Sequence, residues 1–220
     1  MQHPPRLLAL LAVYAAIWIG LIPLHSAWAA TLLYHAVIVV ALGPAELVSI
    51  ARQARHGWRW RPGLLIGLAA AANGPLLCLL YPMLADPAMA LTPSAGIPHA
   101  AIEIDLAARL ASFGLQGAAL WVFIPYYVLL HPILEEAFWR RPVHQARGRA
   151  VLTDCAFAGY HLLVLVHFVA LPWALAITTL LAAVAWLWRR VWSLCEGPAI
   201  PLATHAVAGA STMAGVICLL

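Results

Sequence analysis

Apolar residues in this chain come in stretches of roughly 20, each closed by a short polar break, and a helix of that length rises about 30 Å, the thickness of a bilayer's hydrocarbon core. Seven such stretches follow one another, at 7–24, 30–50, 63–85, 106–130, 150–169, 171–187 and 199–218. The fourth continues helically past His131, and the fifth and sixth are divided only at Ala170. The pattern predicts an all-α, polytopic transmembrane helix bundle of about seven spans. Internal repeats, Gly/Ser linkers and low-complexity segments are missing, and no polar stretch exceeds about twenty residues, too little for a soluble domain.

Composition makes the membrane reading the only workable one. Of 220 residues, 65% are hydrophobic and 9% charged, where a globular chain carries about 25% charged residues to wet its surface. The mean hydropathy is +0.91. Twelve basic residues, all arginine, against eight acidic ones leave a net charge of +4. That balance does not point to nucleic acid, because the arginines lie in short clusters between apolar runs and form no basic stripe. Cys78, Cys155, Cys195 and Cys218 sit in or beside apolar runs without CxxC spacing, and read as small buried hydrophobes.

Arginine placement sets the orientation, since short loops rich in Lys or Arg stay cytoplasmic. With the N-terminus inside, Arg6, the cluster Arg52 to Arg61, the cluster Arg140 to Arg149, and Arg189 with Arg190 all fall on the inner side. Arg109 is the exception, beside an outer segment, 86–105, that carries Glu103, Pro87, Pro93 and Pro98. Trp58, Trp60, Trp139, Trp186, Trp188 and Trp192 on the inner side, and Trp28 and Trp173 on the outer, read as headgroup anchors. A cleavable signal peptide ending near Ala27-Trp28-Ala29 is a rival for the first span, and its removal leaves the remaining topology unchanged. The use of arginine without lysine in an alanine-rich chain suits a GC-rich bacterial genome, hence an inner-membrane location.

An ionisable side chain inside a span costs several kcal/mol unless it is paired or faces a polar cavity, so each marks a candidate site. Glu46, Glu135, Glu136, Arg140, Asp154, His161, His167 and His205 qualify, with Asn73 and Gln116 as neutral additions. The densest group is His131-Pro-Ile-Leu-Glu135-Glu136-Ala-Phe-Trp-Arg140. Glu136 and Arg140, four apart, share a helix face and form an ion pair. Glu135 then has no partner of its own and points about 100° away toward neighbouring spans, where a general base would be placed. His131, four residues earlier, is within reach of it across Pro132. A second group is Phe157-Ala-Gly-Tyr-His161, with Asp154 set to cap a helix or pair with an inner arginine. A third is Thr204-His205 through Gly209 to Thr212. At about 1.5 Å per residue, Glu135 and His205 lie about 8 Å, and His161 about 16 Å, from the inner ends of their spans. All three fall in the cytoplasmic half of the bilayer.

These groups, in this order, resemble the signature of the CAAX protease and bacteriocin-processing (CPBP, Abi-like) family of intramembrane endopeptidases. The Glu-Glu-x-x-x-Arg motif of that family matches Glu135, Glu136 and Arg140, and Phe-x-x-x-His matches Phe157 and His161. Of His-x-x-x-Asn/Asp only His205 matches, because Gly209 stands in the last position. The resemblance covers 130–212 and divides the chain into motif-free spans at 1–105 and a catalytic core at 106–220. It implies hydrolysis of a peptide bond in a membrane-embedded or lipid-anchored substrate, with Glu135 and His161 activating a water, the third-motif pair stabilising the oxyanion, and Glu136, Arg140 and Phe157 in support. Gly209 departs from the pattern, and loss of an oxyanion donor costs about 100-fold or more in rate. Thr212, on the same face as His205, and Asn73 are the nearest alternative donors.

No cofactor is implied by this reading. A zinc-dependent form of the site, with Glu135, His161 and His205 as ligands, is the alternative, although HExxH is absent. From other classes remain an inactive membrane binding or immunity protein of the same family, and a small transporter with Glu46, Glu135 and His161 as a proton relay. Convergence of Glu135, His161 and His205 on one cavity separates enzyme from the rest.

Overall fold

A computed structural model describes residues 4–85, 105–140 and 150–220. The segment 86–104, with Glu103 and its prolines, and Arg141, Arg147 and Arg149 lie outside the described residues. The described residues are helical, with no strand among them, in the order α1 (Pro4–Leu21), α2 (Ala27–Gln53), α3 (Trp60–Ala71), α4 (Asn73–Ala85), α5 (Leu106–Ser112), α6 (Gly117–Leu129), α7 (His131–Glu135), a π-helical turn (Glu136–Arg140), α8 (Ala150–Leu165), α9 (Leu171–Cys195) and α10 (Ala199–Cys218). Five stretches are long and apolar enough to cross a membrane: Ala27–Gln53, Trp60–Ala85, Gly117–Arg140, Leu171–Cys195 and Ala199–Cys218. Leu7–Leu21 and Leu152–Leu165 are apolar but shorter.

Local chemistry explains most boundaries. Ser26 caps α2 by accepting from the Ala29 N–H at 3.1 Å, and Asp105 caps α5 through the Ala108 N–H at 3.0 Å. Expected as one helix, 106–130 is instead broken after Ser112, where Gly114 and Gly117 adopt φ of 75° and 51° and turn the chain before α6. α2 is kinked at Gly43 (φ 72°, ψ 165°), ahead of Pro44, whose ring cannot continue the hydrogen-bond ladder. The break between α3 and α4 is repaired from outside: Ser211 of α10 accepts from the Gly74 N–H at 2.8 Å and donates to the Ala71 carbonyl at 2.6 Å. A Cβ at Gly74 would lie 2.2 Å from the Ser211 carbonyl oxygen, so this close approach needs glycine.

Packing gathers the helices around α7, the π turn and α10. α1 lies against α2 and α8, α8 against α9, and α10 against α3, α4, α6 and α9, while α2 covers α7 and the π turn. The largest apolar cluster, with Val13, Ile17, Tyr34, Ile38, Trp139, Phe157 and Trp188 among its members, joins α1, α2, α8 and α9 around the π turn. Leucines elsewhere face outward, among them Leu64, Leu65, Leu79, Leu180 and Leu194, each more than 60% exposed. An apolar exterior over a polar centre inverts the arrangement of a water-soluble bundle and suits lipid.

Several sequence expectations need correction. Trp139, Trp188 and Trp192 are buried, so they pack inside the bundle; Trp58, Trp60 and Trp186 are exposed as anchors would be. Of the four cysteines only Cys195 is buried, the others lying on outward or intermediate faces.

Candidate functional site

Glu135 and Glu136 end one helix and begin another, and that junction makes the site. A π turn carries about one extra residue per turn and recurs at functional positions. All five of its residues, Glu136 to Arg140, are buried. The two carboxylates are thereby aimed at different partners, although they are neighbours in sequence.

Glu135 is fully buried and is not left alone, as its spacing from Arg140 suggests. Its Oε1 accepts from the hydroxyls of Tyr34 on α2 and Tyr160 on α8. Tyr34 in turn accepts from Trp139 Nε1–H at 2.8 Å, so a chain of donors fixes that oxygen. The other oxygen, Oε2, faces His131 Nε2 at 3.1 Å and His205 Nε2 at 3.4 Å. Neither contact has hydrogen-bond geometry, which leaves Oε2 without a donor.

The far nitrogens of both rings are also held. His131 Nδ1 lies 2.9 Å from His35 Nε2, and His35 Nδ1 lies 2.7 Å from the Tyr126 hydroxyl. His205 Nδ1 donates to Glu136 Oε1 at 3.0 Å, and the His205 ring stacks on Trp188 with centroids 4.5 Å apart. Glu136 Oε2 pairs with Arg140 Nε at 3.4 Å. The Arg140 guanidinium, fully buried, sits 4.1 Å over the Phe157 ring and 5.6 Å from that of Trp188. Phe157 thus acts as a cation–π floor.

His161 stands at the margin of this group. Its Nδ1 bonds the Phe157 carbonyl at 2.9 Å and its ring stacks on Tyr160, centroids 4.0 Å apart, one hydroxyl away from Glu135. The ligand-type atoms that converge within 4.8 Å of one another belong to His131, Glu135 and His205. Among the described residues, His161 is thus not in the group whose ligand-type atoms converge, and His131 is. Gly209 lies a turn beyond His205, where an added Cβ would meet the Tyr127 ring at 3.7 Å, an ordinary contact.

The remaining candidates fall elsewhere. Asp154 pairs with Arg189 at 2.8 Å, a partly buried ion pair between α8 and α9. His167 packs edge-on against Phe113. Thr212 donates to the Ala208 carbonyl of its own helix at 2.9 Å, Asn73 is exposed at the start of α4, and Gln116 precedes α6 without capping it. Glu46 is exposed beyond the α2 kink. Sequence reasoning missed Tyr34, His35, Tyr126, Tyr160 and Trp188 as site residues. Tyr34 and His35 lie in the half that shows no motif; a polar Tyr-His pair inside an apolar run was the available signal.

Charge accounts for the tightness of the assembly. Two buried carboxylates meet one guanidinium, so charge balance is met by a protonated carboxyl, an imidazolium or a bound cation. Chemically, a carboxylate with one oxygen anchored and the other facing two imidazoles can take a proton from water or hold a cation. No protein-family model, curated protein or solved structure matches this chain.

Proposed function

We propose that this protein is an intramembrane endopeptidase of the CPBP type, which hydrolyses a peptide bond of a membrane-embedded or lipid-anchored substrate at Glu135. One observation carries the reading: a fully buried carboxylate whose Oε1 is immobilised by two tyrosines and whose Oε2 faces two imidazoles. A water seated against Oε2 gives its proton to Glu135 as its oxygen attacks the scissile carbonyl. The proton then passes to the leaving amine, and His205 or His161 stabilises the oxyanion through Nε2–H in its imidazolium form, the Nδ1–H groups being already given to Glu136 and the Phe157 carbonyl. Arg140, Phe157 and Glu136 hold His205 in place.

Seven spans with a cytoplasmic N-terminus fit this reading, Leu7–Leu21 and Leu152–Leu165 serving as the two shorter crossings. The α2–α3 and α9–α10 connections, carrying Arg55, Arg59 and the nearby Arg189 and Arg190, meet at one end of the bundle, where Ala199 N–H bonds the His56 carbonyl at 3.1 Å. That end is the cytoplasmic one by its arginines, in a bacterial inner membrane. Gly209 favours a second reading, a binding protein with the same architecture and no turnover.

The test is cleavage of a quenched transmembrane-peptide library by the purified protein in detergent. Wild type is expected to cleave, and Glu135→Gln, which keeps the shape and loses the base, to fall at least about 100-fold. Equal cleavage by the variant, or none by folded wild type, would overturn the proposal, the latter in favour of the binding protein.

A further inference from the structure

We propose that His131 Nε2, Glu135 Oε2 and His205 Nε2 are the protein ligands of a first-row divalent cation of the zinc class. The assignment rests on the proposed hydrolytic reading for its purpose, not for its geometry, and replaces that reading's base, since a Glu135 that ligates a cation no longer takes the proton from water. The assignment places His131 in the set and leaves out His161, whose ring nitrogens are not among the ligand-type atoms that converge on Glu135.

Three observations converge. Zinc bonds of about 2.0–2.2 Å to nitrogen and oxygen in a tetrahedron put neighbouring ligand atoms about 3.3 Å apart. Two edges, from Glu135 Oε2 to His131 Nε2 and to His205 Nε2, are 3.1 and 3.4 Å, and all three atoms lie within 4.8 Å of one another. Second, Glu135 Oε2 is fully buried with no donor, the condition in which a missing ion or water is the usual explanation.

Third, the surrounding bonds are those that prepare imidazoles as ligands. A ligating histidine characteristically donates its other N–H to a fixed acceptor, which sets the tautomer and aims the lone pair. Glu136, paired with Arg140, is an acceptor only, so His205 carries its proton on Nδ1 and turns the Nε2 lone pair toward Oε2. His35 Nε2 serves His131 in the same way when His35 donates its Nδ1–H to Tyr126. In these tautomers two lone pairs and a carboxylate oxygen face one another, an arrangement that is repulsive until a proton or a cation lies among them. Two nitrogens and one oxygen from the protein leave a fourth position open, the composition of a hydrolytic rather than a structural zinc site. With the cation bound, Glu135 changes from base to ligand.

The test loads the full-length protein in detergent, stripped of metal, with Zn²⁺ for stoichiometry and with Co²⁺ for its visible ligand-field spectrum. Expected are one equivalent of Zn²⁺ and the intense band of four-coordinate Co²⁺. His131→Ala and Glu135→Gln should weaken binding more than 10-fold, whereas His161→Ala should leave it unchanged. Should the ligand variants misfold, His35→Phe, which removes the partner of His131 Nδ1 and of the Tyr126 hydroxyl but no ligand, should keep the band and weaken affinity about 10-fold. Less than a tenth of an equivalent in folded wild type, a six-coordinate Co²⁺ spectrum, or binding indifferent to His131→Ala would overturn the assignment. Full-rate cleavage by metal-free protein would overturn it too while leaving the hydrolase standing; stoichiometric binding without cleavage of any peptide would sink the hydrolase and leave the cation site.

Discussion

Tyr34 and Tyr160 make the same bond to Glu135 Oε1 but differ in what else depends on them. Tyr34 also accepts from Trp139 Nε1–H, so Tyr34→Phe strands a buried indole donor. Stranding costs about 1–3 kcal/mol. Both Tyr34→Phe and Tyr160→Phe are expected to slow cleavage, by about 10-fold, through the freed carboxylate. Thermal unfolding in detergent should show the larger loss for Tyr34→Phe; equal Tm values would mean that Trp139 finds another acceptor. Gly209 presents the opposite case, a position with room. Because an added Cβ meets only the Tyr127 ring at 3.7 Å, Gly209→Asn should fold and should raise the cleavage rate by supplying the missing amide near His205. A folded Gly209→Asn variant with an unchanged rate would remove that position from the site. Neither tyrosine was legible as a site residue, because in an apolar helix a tyrosine reads as packing until its hydroxyl is seen to meet a carboxylate from another helix.

At the scale of elements, two irregularities position the site: the kink in α2 and the π turn after α7. Gly43 adopts a backbone conformation open essentially to glycine alone, and nothing lies within 4 Å of the Cβ it lacks. Gly43→Ala therefore tests conformation without a clash and should cost about 1–3 kcal/mol. Gly67 on α3 is equally uncrowded but helical. There the same substitution should stabilise by about 0.5–1 kcal/mol. A rise in the unfolding midpoint for both variants would show that the kink is not a strained position. The spacing of Glu136 and Arg140 made their pairing legible. The widened turn was not, since the sequence Glu-Ala-Phe-Trp-Arg suits an α-helix as well, and only the packing of Trp139 and Arg140 between α2, α8 and α9 selects the wider path.

For the whole molecule, the distribution of arginines predicts an odd number of crossings that leaves the C-terminus on the outer side. A phosphatase fused after Leu220, active only outside the inner membrane, should be active in intact cells. Activity of a cytoplasmic reporter at that position instead would reverse the orientation or change the span count. An all-helical bundle with an apolar exterior was legible throughout, because spans follow from unbroken hydrophobic length, a property local to each segment. So were Glu135, Glu136, Arg140, Phe157, His161 and His205 as residues of interest, because a polar group in a span is conspicuous by its cost. What the sequence by itself determined is thus the all-helical, apolar character of the bundle and the short roster of polar groups that lipid would reject. Only the tertiary structure decided which of them meet. It placed His131 rather than His161 against Glu135 Oε2, drew Tyr34 and His35 in from α2, and sent Asp154 to Arg189. The physical reason is that burial cost is written one residue at a time, whereas the partner that offsets it comes from another helix, and crossing, kink and register set which one arrives.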